Sequence, residues 1–209
     1  MTQPTANCPN CGAKITFRWS ASVQTVCEYC KSILVRTDVD LQKVGQVADL
    51  PPNSSPIQIG TEGVYGPHSF VAIGRIIYQY DQGNWNEWHL MMNNGTSGWL
   101  SDAQDEYAVT FPAPGRKLPK QCTVGQEYTW DDNPYTVGTI TKAHYCGVEG
   151  DLPFEYWDKS DVVFVDLMSF TSKFATIDYS DDEPALYLGE FVDFDRLKLK
   201  NLRSFEGWS

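Results

Sequence analysis

Cys8-Pro9-Asn10-Cys11-Gly12 and Val26-Cys27-Glu28-Tyr29-Cys30 are the two stretches on which the reading of the fold turns. Each is a C-x-x-C pair, and fifteen residues separate Cys11 from Cys27. That is the spacing of a zinc ribbon, in which each pair makes a tight knuckle and a short antiparallel hairpin between them brings the knuckles together. Four thiolates around one tetrahedral ion leave no position for water, so Cys8, Cys11, Cys27 and Cys30 predict one structural Zn2+ and no catalytic metal. Residues 1–36 are too few to bury a self-sufficient core, and metal binding supplies the missing folding free energy. A redox dithiol is the competing reading; the doubled motif at ribbon spacing speaks against it.

Outward from the ribbon, residues 37–56 lose both alternation and aromatics and run into Pro51-Pro52-Asn53-Ser54-Ser55-Pro56. This composition predicts a proline-stiffened linker. From Ile57 onward strand-like runs alternate with turn residues. Ser69-Phe70-Val71-Ala72-Ile73-Gly74-Arg75-Ile76-Ile77-Tyr78-Gln79-Tyr80 is too long for one flat strand without a bend at Gly74. Asp81-Gln82-Gly83-Asn84 and Asn94-Gly95 read as hairpin turns. No segment keeps apolar residues at helical spacing over three turns, so the chain reads as all-β.

The plan recurs after Cys122. Val124-Gly125-Gln126-Glu127-Tyr128 echoes Ile59-Gly60-Thr61-Glu62-Gly63, and Tyr135-Thr136-Val137-Gly138-Thr139-Ile140 echoes Val71-Ala72-Ile73-Gly74-Arg75-Ile76. Thr171-Ser172-Lys173-Phe174 echoes Thr96-Ser97-Gly98-Trp99. Three matches in one order predict two tandem meander or barrel-like β repeats, residues 57–118 and 119–209, related by a pseudo-twofold axis. Arg196-Leu197-Lys198-Leu199-Lys200 reads as a late edge strand.

Across 209 residues, 16 Lys and Arg stand against 27 Asp and Glu. Residues 51–209 hold 23 of the acids and eleven of the bases. Such a body repels phosphate backbones and anionic lipid, and suits cationic ligands or basic partners. The first residues lack the apolar core of an export signal and no apolar run approaches membrane length, so the expected location is cytoplasmic, with no membrane insertion.

The order of these elements resembles a family. A C-x-x-C ribbon is followed by Ile59-Gly60, a Gly74-Arg75-Ile76 strand, a W-x-E-W-x-L block at Trp85 to Leu90, and Gly98-Trp99-Leu100-Ser101. Gly150-Asp151-Leu152-Pro153, Val165-Asp166-Leu167 and a Y-x-G-E-x-V ending at Val192 continue the likeness. Together they resemble the bacterial domain of unknown function 4178 over nearly the whole chain. The resemblance implies no established activity.

Aromatics and acids coincide twice, at Trp85, Glu87 and Trp88 and again at Asp151, Glu155 and Trp157. Aromatic faces beside carboxylates attract ammonium groups, so a polyamine or other small cation is a candidate ligand; the plain alternative is that the tryptophans anchor sheets and the acids solvate loops. For an enzyme, Cys122 or Cys146 with His144, Asp151 or Glu155 would be the nucleophile and base, yet free cysteines in β-cores are commonly inert. Lys14, Arg18, Lys31, Arg36 and Lys43 make a basic strip, which the acidic remainder disfavours as a nucleic-acid surface. On balance the sequence reads as a non-enzymatic adaptor whose ribbon docks on a protein partner through Trp19 and Tyr29, with cation binding as the second reading.

Overall fold

The computed structural model describes residues 4–37, 40–47, 50, 55–156 and 161–204. Runs of β-branched and aromatic residues make strands throughout, and the described residues form fifteen strands and one 3-10 turn, Phe194–Leu197.

In the ribbon, β1 (Thr5–Asn7) pairs with β2 (Lys14–Thr16), while β3 (Gln24–Val26), β4 (Ser32–Arg36) and β5 (Leu41–Gln46) form a second small sheet. Each knuckle therefore sits in the turn of its own hairpin, in place of the single hairpin across the gap that the spacing predicts. Strand β5 also lies where the composition predicts a linker. Leu41 is buried against the cysteine cluster and Val44 and Val47 pack on the neighbouring core, so a short apolar spacing is enough to hold this segment as a strand. The prolines at 51 and 52 lie outside the described residues.

The large antiparallel sheet contains β6 (Glu62–Tyr65), β7 (His68–Tyr80), β8 (Gly83–Met92), β9 (Ser97–Ala103), β10 (Glu106–Pro112), β11 (Glu127–Trp130), β12 (Asn133–Gly150), β13 (Asp161–Met168), β14 (Lys173–Asp178) and β15 (Ala185–Phe191). Its order is β11-β12-β13-β14-β15-β10-β9-β8-β7-β6, and β12 pairs in addition with β7. That last pairing, Gly74 to Gln79 against Gly150 to His144, joins eight strands into a closed ring, with β6 and β11 attached outside it. Closure removes the unpaired edges that a sheet of this size would otherwise expose. The two longest strands bend at register shifts between Ala72 and Gly74, Val137 and Thr139, and Tyr145 and Gly147.

Alternate side chains face opposite sides of a strand. On β8, Trp88, Leu90 and Met92 face outward into a cluster with Phe70, Leu100 and Val109, and Ile57 and Leu197 cover it. On β13, Val165 and Leu167 face outward into a second cluster with Tyr135, Ala175 and Ile177. The 3-10 turn and the bridge between Glu62 and Lys200 replace the late edge strand read from the sequence. Leu197 and Leu199 are drawn onto the first cluster, so burial, and not strand pairing, fixes this segment.

The ribbon is seated on the ring by both apolar and polar contacts. Val26 and Ile33 join Ile76, Tyr78, Val148, Leu152 and Tyr156 in one core, and Gln24 forms a bridge with Leu152. Asp151, fully buried, accepts hydrogen bonds from the Arg18 backbone N–H at 2.7 Å, Ser22 Oγ at 3.0 Å and Thr25 Oγ1 at 2.7 Å. Gly74 makes the close approach possible: a Cβ there would lie 2.1 Å from the Asp151 carbonyl oxygen. Among the described residues no helix is long and apolar enough to cross a membrane.

Candidate functional site

The four early cysteines converge. Their sulfurs lie within 4.8 Å of one another, with Cys8 to Cys30 and Cys11 to Cys27 each at 3.7 Å. A tetrahedron with metal–sulfur bonds of about 2.3 Å has edges of about 3.8 Å, so the donor set fits a tetrahedral thiolate-binding ion. The two knuckles have matching backbones. Gly12 N–H donates to Cys8 C=O at 2.8 Å and Lys31 N–H to Cys27 C=O at 2.9 Å. Gly12 and Lys31, each following the second cysteine of its pair, adopt left-handed φ values of 74° and 57°. The Ser32 hydroxyl and the Asn10 side chain bring the Cys30 thiol down to about 5, which favours the thiolate a metal requires. Ile15, Phe17, Leu34 and Leu41 pack around the cluster.

The second feature is a cavity of about 850 Å³ walled by residues from all eight strands of the ring, the inward-facing complement of the two outer clusters. Trp85 and Glu87 of β8, Ser101 of β9, Phe164 and Asp166 of β13, and Thr176 of β14 line it. Glu87 accepts hydrogen bonds from Ser101 Oγ at 2.8 Å and Trp85 Nε1 at 3.0 Å. Burial nonetheless pushes its carboxyl up to about 8; the Ser101 and Trp85 donors oppose that shift, and the nearby negative charges of Asp166 and Asp178 add to it. Burial likewise raises Asp166, against hydrogen bonds from the Thr176 and Thr139 hydroxyls. One end of the ring interior is filled by Tyr78 and Tyr156, whose hydroxyls meet at 2.7 Å. Gln24 of the ribbon brackets Tyr156, accepting from its backbone N–H at 2.8 Å and donating to its C=O at 3.1 Å.

The other residues singled out by sequence go elsewhere. Trp88, one step from Glu87, faces outward, where its indole N–H meets Asp102 at 3.3 Å and the Arg75 guanidinium lies 5.0 Å over its ring. Asp151 is committed to the ribbon junction, so it does not share a cleft with Glu87. Glu155 is exposed, and Trp157 lies outside the described residues. Trp19 is half-buried against His89 at 5.5 Å, whereas Tyr29 is 78% exposed. Arg18 bonds to Glu28, Arg36 donates to Ser20 C=O while lying over Phe17, and Lys43 donates to Asn10 Oδ1 at 3.2 Å, so three members of the basic strip have partners within the ribbon.

A cysteine nucleophile finds little support. Cys146 Sγ lies 3.8 Å from the His144 backbone oxygen, and the His144 imidazole pairs with Asp161 at 2.5 Å; burial raises the Cys146 thiol, the reverse of activation. Cys122 lies 3.4 Å from the Tyr179 hydroxyl. The histidines do not converge: His68 bonds to Asn93, and His89 is bonded to both the Asp151 carbonyl and Ser97. His89 is held down to about 4 by burial, although the Asp151 carbonyl favours its charged form. Sequence reading missed Asp166 as a site residue. Its signal is an acid in phase with Phe164 and Met168 on a strand whose other face carries Val163, Val165 and Leu167.

A family model described as Domain of unknown function (DUF4178) matches residues 58–194. The match takes in the whole ring and begins after the cysteine cluster, so it is narrower than the likeness read along nearly the whole chain. No curated protein and no solved structure matches.

Proposed function

The chain belongs to the family described as Domain of unknown function (DUF4178), and from that premise we propose that it binds an organic cation in the cavity of the ring. The observation that carries the reading is the placing of two half-buried carboxylates, Glu87 and Asp166, in the lining of one cavity that also presents Trp85 and Phe164. Among the described lining residues Lys142 is the basic one, and it is exposed. An ammonium group placed there replaces the water both carboxylates have lost and meets aromatic faces worth about 0.5–2 kcal/mol each. Titrating the full chain with butylammonium and with spermidine, by calorimetry and tryptophan emission, tests it. Glu87→Gln removes one anion while keeping an acceptor for Ser101, and weakens binding at least tenfold; equal heats for both proteins reject the site.

In the same reading the cysteine cluster holds one structural zinc ion and catalyses nothing. The 3.7 Å sulfur edges support this. When bound, the metal supplies folding energy to the ribbon; Cys8, Cys11, Cys27 and Cys30 hold it, and Gln24 and Asp151 join the ribbon to the ring. Two five-strand meanders, β6 to β10 and β11 to β15, support descent from a duplicated β unit. An experimental structure in which no single rotation superposes them excludes it. The exposed Tyr29 supports a second reading, docking of the ribbon on a protein partner. Unchanged partner capture by a Tyr29→Ala chain removes that reading.

A further inference from the structure

The interior of the ring is not finished by the ring alone. Tyr78 of β7 and Trp85 of β8 are cross-strand partners on the inward face, their rings stacked at 4.9 Å, and Phe164 of β13 meets Tyr78 edge-on at 5.0 Å. Trp85 and Phe164 line the cavity, and the buried Tyr78 backs them. A buried hydroxyl needs a partner, and Tyr156 supplies one to Tyr78 at 2.7 Å. Tyr156 belongs to no strand. Its hydroxyl end is held inside the ring, by Tyr78 and by Ser180 Oγ at 3.4 Å, whereas its backbone N–H and C=O are both engaged by the side chain of Gln24.

Gln24 is a ribbon residue, three positions before Cys27 on the strand that runs into the second knuckle. Its main chain donates to Leu152 C=O at 3.2 Å and accepts from Leu152 N–H at 2.8 Å, and Val26 and Ile33 pack in the same core as Tyr156. A module of this size keeps its shape through its metal. When it unfolds, Gln24 withdraws, the backbone groups of Tyr156 turn to water, and Tyr78 loses the partner that fixes its ring against Trp85. We propose that metal occupancy of the cysteine cluster sets the shape of the ring cavity, through Gln24, Tyr156 and Tyr78. The route is an unbroken run of hydrogen bonds and ring contacts, and the element with two states is the ribbon itself. This inference rests on the zinc reading of the cluster and holds whatever ligand the cavity takes.

Full-length protein labelled with 5-fluorotryptophan, zinc-loaded and then chelated, tests it by fluorine NMR. Trp85→Phe and Trp130→Phe identify the two resonances that matter; Trp130, in the outer cluster with Tyr135 and Val165, is the reference. Chelation shifts or broadens the Trp85 signal and leaves that of Trp130 in place, and zinc returned to the sample restores it. Gln24→Ala, which keeps all four cysteines, binds one zinc per chain and shifts Trp85 in the same direction; Tyr156→Phe, a milder change that loses only the hydroxyl, shifts it less. A Trp85 signal that stays put once zinc is gone and the ribbon has become protease-sensitive overturns the proposal and leaves the zinc reading standing. Trp85 and Trp130 moving together, or both zinc-loaded variants matching the parent, overturns it as well. Protein that holds no stoichiometric zinc overturns both.

Discussion

Replacing Asp151 with alanine removes the acceptor on which the ribbon is seated. Three donors lose their partner at once: the Arg18 backbone N–H, Ser22 Oγ and Thr25 Oγ1, the last two on side chains that are almost wholly buried. Hydrogen bonds to a charged group contribute roughly 1.5–3 kcal/mol each, which sets an upper range of about 5–9 kcal/mol. Part of this is returned, because alanine also relieves the desolvation that raises the Asp151 carboxyl. A net loss of about 3–5 kcal/mol follows. Asp151→Asn keeps the shape and one acceptor oxygen but turns an N–H₂ toward one set of donors. The hydroxyls of Ser22 and Thr25 can rotate to accept it and the Arg18 N–H cannot, so its cost is about 1–2 kcal/mol. Urea unfolding followed by tryptophan emission reads both, since Trp19 lies against His89 at the same junction. Limited proteolysis reports whether the ribbon detaches first. An alanine variant within 1 kcal/mol of the parent, with its ribbon equally protected, refutes the view that this carboxylate joins the two parts.

Carefully reduced protein contains one zinc per chain, and a strong chelator makes residues 4–36 protease-sensitive while the far-ultraviolet signal of the ring persists; absence of stoichiometric metal counts against the ribbon. The Glu87 carboxyl is raised from 4.5 to about 8 in the folded chain, so its contribution to stability is fully present below pH 4.5 and is lost as pH rises to 8. Glu87→Gln is therefore more stable than the parent at pH 9, by at most about 5 kcal/mol, and equal to it near pH 4; parallel pH–stability curves refute this. For the same reason ammonium binding displaces a proton and strengthens by up to about tenfold per pH unit between pH 6 and 8, a dependence that Glu87→Gln abolishes in calorimetry. Gly74→Ala places a methyl group 2.1 Å from the Asp151 carbonyl oxygen and costs about 2–3 kcal/mol in thermal unfolding.

The knuckles are fully legible in the sequence, because a ligand set repeated at fixed spacing seldom arises by chance. Strands and hairpin turns are legible at Gly74, Asp81-Gln82 and Asn94-Gly95, where local chemistry decides the backbone. The cavity is half legible. Trp85 and Glu87 carry an aromatic and acidic signature, but Asp166 reaches the same space only because the ring closes, and closure depends on pairings between strands distant in sequence. Trp88 shows the opposite failure: composition groups it with Glu87, and the period of two sends it to the other face. Asp151 reads as a ligand-binding acid until Ser22 and Thr25 stand beside it, and no local pattern encodes their positions. Strand β5 is hidden because Leu41 and Val44 form too short a run to register until Arg36 pairs with Leu41.

The stretch beyond the 3-10 turn has a practical consequence for anyone preparing this domain. Arg203 donates its backbone N–H to Pro56 C=O at 2.8 Å and its guanidinium to Ser55 C=O at 2.8 Å, and Lys200 and Glu62 exchange a pair of backbone bonds. A fragment trimmed to residues 58–194 discards that clasp along with Leu197 and Leu199, leaving Phe70, Trp88 and Leu90 wet. Homology and burial thus draw different borders, and an expression clone that respects burial keeps the ribbon on which Asp151 and Leu152 pack and carries on through Arg203.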